Sequence, residues 1–126
     1  MIALVATPDG TFAVDLDDGS VVGADAFEPE PEPVLNLPRL VAAAALGPTV
    51  AAVVDAKPPL LLSHDAGVTW RASGRGLPPG RAVAIAADDP DTIVYAARNR
   101  LYVSRDGGVF WTAVPVELPE IRGVAV

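Results

Sequence analysis

Three arginines recur at regular spacing and could bind an anion. Arg39, Arg81 and Arg122 each begin an R-x-V-A motif, and neighbouring copies lie about 41 residues apart. A guanidinium forms paired hydrogen bonds with carboxylate or phosphate groups, so the three arginines are candidate ligand-binding residues. The alternative is that they form ordinary ion pairs with nearby acids such as Glu117 and Glu120.

The chain offers few residues for covalent catalysis. The candidates are two tyrosines, one histidine and a cluster of aspartates: Tyr95, Tyr102, His64, Asp88, Asp89 and Asp91. Both tyrosines fall in predicted strands, where packing explains them, and the aspartates form a predicted turn. An apposed carboxylate pair, which glycoside hydrolysis uses, is not indicated. The sequence therefore favours a non-catalytic protein without cofactor, catalytic residues or metal.

Two octapeptides of one pattern, S-x-D-x-G-x-[T/F]-W, lie between apolar runs. They are SHDAGVTW (63–70) and SRDGGVFW (104–111). The aspartate can accept hydrogen bonds from N–H groups of its own turn, the glycine supplies a positive φ angle, and the tryptophan buries a large ring. The pattern thus predicts two turns with a structural role. Their key residues are Ser63, Asp65, Gly67, Trp70, Ser104, Asp106, Gly108 and Trp111.

A third, degenerate copy of this turn is predicted near the start of the chain. In the segment DLDDGSVV (15–22), Asp17 aligns with Asp65 and Gly19 with Gly67. Val22 then stands where the other copies have tryptophan. This copy should keep the turn and lose the ring.

The octapeptides resemble the Asp-box of β-propellers of the sialidase-type (BNR), sortilin-like and photosystem-assembly-factor-like families. The resemblance implies that the boxes are structural and lie on the face opposite the binding face. It also implies that Arg39, Arg81 and Arg122 lie on the binding face, where the photosystem-assembly factors carry an arginine cluster. The catalytic set of a sialidase is not present.

Strand patterns between these landmarks predict an all-β chain with four strands per repeat, which is the size of a propeller blade. Blade 2 spans residues 38–76 and blade 3 residues 80–118. Blade 1 spans residues 1–27 and lacks its first strand, whereas residues 121–126 form a first strand with no successors. The acidic, proline-rich residues 28–33 predict an extended loop that is either a spacer or a partner-binding segment.

The missing strands predict a homodimer. Four to eight blades is the usual range for a propeller. Two chains would give a six-bladed ring if residues 121–126 of each chain completed the first blade of the other by strand exchange. The alternative is that the chain is a fragment of a longer propeller.

Composition argues against several classes of binding partner. The net charge of −7 argues against binding to nucleic acid or to anionic membranes. No cysteine is present, and the start of the chain lacks the features of a signal peptide, so we expect a cytoplasmic protein. The sequence favours a binding or assembly scaffold for a protein, a peptide or a small anionic ligand. The alternatives are a lectin-like propeller and a relative of the sialidase-type glycoside hydrolases.

Overall fold

The computed structural model describes residues 1–126, which form twelve strands in three antiparallel sheets of four. The strands are β1 (Ile2–Thr7), β2 (Gly10–Asp15), β3 (Val21–Ala24), β4 (Leu40–Leu46), β5 (Thr49–Val54), β6 (Leu60–Ser63), β7 (Arg71–Ser73), β8 (Gly80–Ala86), β9 (Asp89–Ala97), β10 (Leu101–Ser104), β11 (Thr112–Ala113) and β12 (Gly123–Ala125). The structure thus confirms the predicted class: all-β, with three four-stranded blades.

Blades 2 and 3 are each built from four consecutive strands, β4 to β7 and β8 to β11. Their second strands carry apolar runs, residues 50–54 of β5 and 93–97 of β9, because both faces of the sheet are covered there; every residue of β5 is buried. The fourth strands are short: β7 has three residues, and β11 contains only Thr112 and Ala113. The turn occupies the residues before it, and Pro115 has no N–H group for the ladder after it.

Blade 1 has the strand order β12-β1-β2-β3, so the end of the chain joins its beginning. Leu4, Val5 and Ala6 pair with Ala125, Val124 and Gly123 of the same chain. The sequence predicted that a partner chain supplies this strand. In the single chain described here, the chain supplies it to itself.

The connection between β11 and β12 explains this self-pairing. Leu118 and Ile121 are buried, and their N–H groups donate to the carbonyls of Asn99 and Arg98, at 2.9 and 2.7 Å. The next N–H group, of Arg122, donates to Ala6 O at 2.8 Å. Anchored on blade 3 in this way, the chain leads β12 directly to β1. The long connection between β3 and β4, residues 25–39, allows blade 1 to lie beside blade 3.

The three blades form a row in which blade 3 is central. One apolar core joins blades 2 and 3 and includes Val53, Leu60, Ile93 and Tyr95. A second core joins blades 3 and 1, and its residues come from β1, β2, β8, β9, β10 and the β11–β12 connection. Neither core contains residues from both blade 1 and blade 2. The row therefore has two ends, one face of blade 1 and one face of blade 2.

Candidate functional site

The turn of blade 2 between β6 and β7 is closed by Asp65. Its carboxylate accepts hydrogen bonds from the Thr69 N–H at 2.8 Å, the Thr69 hydroxyl at 2.5 Å and the Ser63 hydroxyl at 2.7 Å. The Ser63 hydroxyl accepts in turn from Gly67 N–H at 2.8 Å. The hydroxyl and N–H of Thr69, followed by the Ser63 hydroxyl, lower the pKa of Asp65 to about 2. Since all these donors belong to the turn itself, Asp65 has a structural role.

The turn of blade 3 repeats this geometry with a backbone N–H in place of one hydroxyl donor. Asp106 accepts from the N–H groups of Phe110 at 3.0 Å and Val109 at 3.1 Å, and from the Ser104 hydroxyl at 2.8 Å. These bonds, the Phe110 N–H first, lower the pKa of Asp106. Phe110 replaces Thr69 and has no hydroxyl to offer. Gly108 N–H donates to Ser104 Oγ at 2.8 Å, as Gly67 does to Ser63.

This turn also fastens blade 3 to blade 2. The Trp111 indole N–H donates to Ser73 Oγ at 3.1 Å, and the Ser73 hydroxyl donates to Gly108 O at 2.6 Å. The Trp111 ring meets Tyr95 edge to face, with ring centroids 6.1 Å apart. A Cβ on Gly108 would lie 2.3 Å from Leu62 Cδ1, so glycine is required where the blades approach. Trp111 is thus a fold residue between two blades.

The first turn differs from the prediction. Asp18, rather than Asp17, accepts hydrogen bonds from Ser20, from its N–H at 2.8 Å and its hydroxyl at 2.6 Å. These bonds, the hydroxyl first, lower the pKa of Asp18. Asp17 instead accepts from Arg105 of blade 3 at 2.6 Å. The alignment of Asp17 with Asp65 was therefore wrong. The connection between β2 and β3 is two residues shorter than that between β6 and β7, and its turn aspartate is Asp18.

Gly19 has the positive φ angle that was predicted for the glycine of this turn, +77°. A Cβ there would lie 2.7 Å from Pro115 O. The turn of blade 1 thus lies against blade 3, as the Gly108 turn lies against blade 2. Val22, in the place of the tryptophan, is 64% exposed.

A cleft of about 330 Å³ opens in blade 3, at the end of the strands opposite the Asp106 turn. The β7–β8 connection, the β9–β10 turn and the start of β8 form it. Its lining residues are Pro78, Pro79, Arg81, Ala97, Arg98, Asn99, Arg100 and Tyr102. The Tyr95 hydroxyl donates to Pro78 O and thereby holds one wall. Three guanidiniums therefore line one small cleft.

Glu120 is the acid at this cleft. Arg81 donates to its carboxylate at 2.9 Å. This bond and the charge of Arg81, with smaller contributions from Arg98 and Arg122, lower the pKa of Glu120. Arg100 pairs with Glu117 at 3.4 Å. Two of the three arginines that line the cleft are thus paired with carboxylates. Arg122 lies outside the lining, two residues after Glu120. We call Arg81, Arg98, Arg100 and Arg122 the arginine cluster.

The predicted arginines are not all brought together. Arg81 and Arg122 belong to the arginine cluster, whereas Arg39 lies on blade 2 and forms no ion pair in the chain. Its φ is +58°, and its carbonyl accepts from Asp55 N–H at 2.9 Å. Arg98 and Arg100 were not predicted from the sequence. They flank Asn99 in the turn between β9 and β10, outside the repeated R-x-V-A motif.

The remaining candidates for catalysis lie apart. Burial, with a smaller effect of Tyr102, raises the pKa of Tyr95, and its hydroxyl is bonded to a backbone carbonyl. Asp89 and Asp91, predicted to lie in a turn, belong to β9, where Asp89 accepts from the Thr92 hydroxyl at 2.7 Å. His64 is exposed on the blade 2 turn. No three metal-binding side chains are grouped together, and no helix of membrane-spanning length and apolarity occurs.

Known proteins resemble this chain in structure only. No protein-family model and no curated protein matches it. A GH74 enzyme of Niastella koreensis superimposes with a TM-score of 0.52 and 23% identity over 93% of this chain and 18% of that one. YCF48 bound to D1 peptide superimposes with a TM-score of 0.54 and 19% identity over 88% of this chain and 38% of that one. This chain spans less than two-fifths of either. With its three four-stranded blades, the chain has the fold of a partial β-propeller.

Proposed function

We propose that the chain is part of an Asp-box β-propeller whose arginine end binds an anionic group of a peptide or protein partner. The observation that carries this proposal is the arginine cluster. Four guanidiniums gather at one end of a chain whose net charge is −7. Two of them are already paired with Glu117 and Glu120. Arg98 and Arg122 form no ion pair and are available to a ligand carboxylate or phosphate.

The position of the cluster agrees with a binding role. Loops and turns carry it, on rigid sheets, which is the usual arrangement of binding residues. The Asp65 and Asp106 turns lie at the other end of the strands and serve the fold. Among the structural neighbours, YCF48 was solved with a peptide bound. This supports a peptide as the ligand class, and Tyr102 gives the cleft an aromatic surface for it.

Substitution of Arg98 tests the proposal. We expect Arg98→Ala and Arg122→Ala to weaken binding of a fluorescein-labelled glutamate-rich peptide at least tenfold. Hydrogen bonds to charged groups are worth about 1.5–3 kcal/mol each. Fluorescence anisotropy at low salt measures the affinity, and the Tm of each variant should stay within a degree or two of the parent.

Arg105→Ala is the matched control. Arg105 is an exposed arginine of blade 3 at the opposite end of the strands, where it pairs with Asp17. It should leave peptide affinity unchanged. Equal losses in all three variants would show that net charge, and not the cleft, binds the peptide. No binding to the parent protein would remove the proposal, and a glycan array would then test the lectin-like alternative.

We further propose that the chain acts as a homodimer, a six-bladed ring of two three-bladed halves. The two ends of the blade row support this, since each half offers one unpaired face at either end. Strand exchange, in which residues 121–126 of each chain complete the first blade of the other, is one form of this dimer. A ring would place two arginine clusters around one central opening.

A further inference from the structure

The three box-type turns are not packed alike. Gly108 lies against Leu62 and Ser73 of blade 2, and Gly19 lies against Pro115 of blade 3. The corresponding Gly67 of blade 2 meets nothing but its own Trp70, at 3.4 Å from a Cβ. Two of the three turns therefore pack against a neighbouring blade. The third, on blade 2, packs against none.

The tryptophans show the same difference. Trp111 donates its indole N–H to Ser73 of the preceding blade, contacts Tyr95 and packs against the core between blades 2 and 3. The Trp70 indole has no hydrogen-bond partner in the chain, and its ring belongs to neither core. It lines an open cleft beside His64 and Asp65. Leu61 alternates along β6 with Leu60 and Leu62, which pack towards blade 3, so Leu61 lies on the opposite face of the strand. We call Leu61, Gly67 and Trp70 the blade 2 rim.

The opposite end of the row carries an open sheet face. Residues that face one way across blade 1 follow from its register: Ala125 pairs with Leu4, Leu4 with Ala13, and Ala13 with Val22. Ile2 lies beside this row on the same face. Ile2 is 51% and Val22 is 64% exposed. We call Ile2, Leu4, Ala13 and Val22 the blade 1 outer face.

In blade 2 the same kind of face is covered. Its row Ala42, Val53, Leu60 and Ser73 packs against blade 3. Ser73 is the outermost member of this row, as Val22 is of the row in blade 1. An aliphatic sheet face left at the surface marks an interaction site. Blade 1 therefore exposes the kind of sheet face against which a box turn packs elsewhere in the chain. Blade 2 has a box turn that packs against no such face.

We infer that the blade 1 outer face of one chain packs against the blade 2 rim of a second copy, with Val22 against Trp70. Each chain carries both surfaces, so two chains form two such contacts and close a ring of six blades, within the usual four to eight. Closure would also cover the apolar faces at both ends of the row. The inference rests on the homodimer proposed above and names its contact surfaces. It applies to the form in which each chain keeps its own β12; with β12 exchanged, the same two surfaces would meet within one chain.

Val22→Asp tests this contact. A carboxylate in the centre of an apolar interface is left desolvated and unpaired, and we expect the dimer to dissociate. Light scattering should show twice 12.9 kDa for the parent and 12.9 kDa for the variant. Since Val22 is exposed in the single chain, circular dichroism should show an unchanged fold. Val109→Asp is the control, because Val109 is 60% exposed on the blade 3 turn, outside both surfaces.

A mixing experiment identifies the two surfaces as partners. Leu61→Asp on the blade 2 rim should also give a monomer. In an equimolar mixture with Val22→Asp, one of the two contacts in the ring is unmutated on both sides, so the mass should rise again towards two chains. A dimeric Val22→Asp variant would overturn the inference and leave the homodimer standing. A monomeric parent would overturn both, while peptide binding by the arginine cluster would be tested independently.

Discussion

Three aspartates, Asp18, Asp65 and Asp106, each bind the donors of one turn, and their pKa values are lowered for this reason. The same turn at Asp65 contains a strained position. Ala66 has a φ of +60°, and the equivalent residue of blade 3 is Gly107, with a φ of +71°. Only glycine adopts this region without a steric cost.

Exchange of these two residue types should therefore have opposite effects. Ala66→Gly relieves the strain and should raise the stability by about 0.5–1 kcal/mol, whereas Gly107→Ala introduces it and should lower the stability by about 1 kcal/mol. Space is not the cause, since a Cβ on Gly107 would meet its nearest neighbour, Asp91 Oδ1, at an ordinary 3.5 Å. Chemical denaturation of both variants measures the difference. Two changes of the same sign would contradict the argument.

The pKa of Asp65 predicts an acid-dependent loss of stability. Its folded pKa, about 2, lies below the ordinary 3.8. The bonds to the carboxylate therefore stabilise the fold fully above pH 4, and this contribution is lost as the pH falls from 4 towards 2. In Asp65→Asn the Tm should be lower than in the parent at pH 6, and the two values should converge near pH 2. A constant difference across this range would show that ionisation of Asp65 does not matter.

Among the elements, the β11–β12 connection determines which strand completes blade 1. It is held by the buried side chains of Leu118 and Ile121 and by backbone bonds to the β9–β10 turn. The same connection carries Glu117 and Glu120 to the arginine cluster. One segment therefore serves both the closure of a sheet and the arrangement of the cleft.

Loss of this anchor should be costly. Ile121 is fully buried, and Ile121→Ala should reduce the free energy of unfolding by about 2–5 kcal/mol, through lost apolar contacts and a cavity. Val34→Ala is the control, because Val34 is fully exposed and should change nothing measurable. Urea denaturation gives both values. A small effect of Ile121→Ala would mean that the backbone bonds alone hold the connection.

The repeating parts of the structure could be predicted from the sequence, and the parts that occur once could not. Period and turn pattern predicted the four-stranded blades, and they predicted that Asp65 and Asp106 accept hydrogen bonds within their turns. Arg98 and Arg100 occur in one repeat only, so periodicity gave no signal for them. The source of β12 could not be read either, because a strand missing from the first blade looks the same whether the chain or a partner supplies it.

At the scale of the whole molecule, the row of three blades has a polarity. Blade 3 is covered on both sides, and the free surfaces at the two ends differ: a flat aliphatic face on blade 1 and a turn with an unpaired tryptophan on blade 2. Like surfaces would join copies face to face, whereas unlike surfaces join them in one rotational sense. Such an assembly keeps every arginine cluster on the same side.

The pairing of β1 with β12 also has a consequence for synthesis. Domains fold as the chain leaves the ribosome, N-terminal segments first. The strand that borders β1 is made after both other blades, so the edge at Leu4, Val5 and Ala6 stays open until their synthesis is finished. Of the three sheets, blade 1 is begun first and completed last, and its open edge is a site where nascent chains can pair with one another.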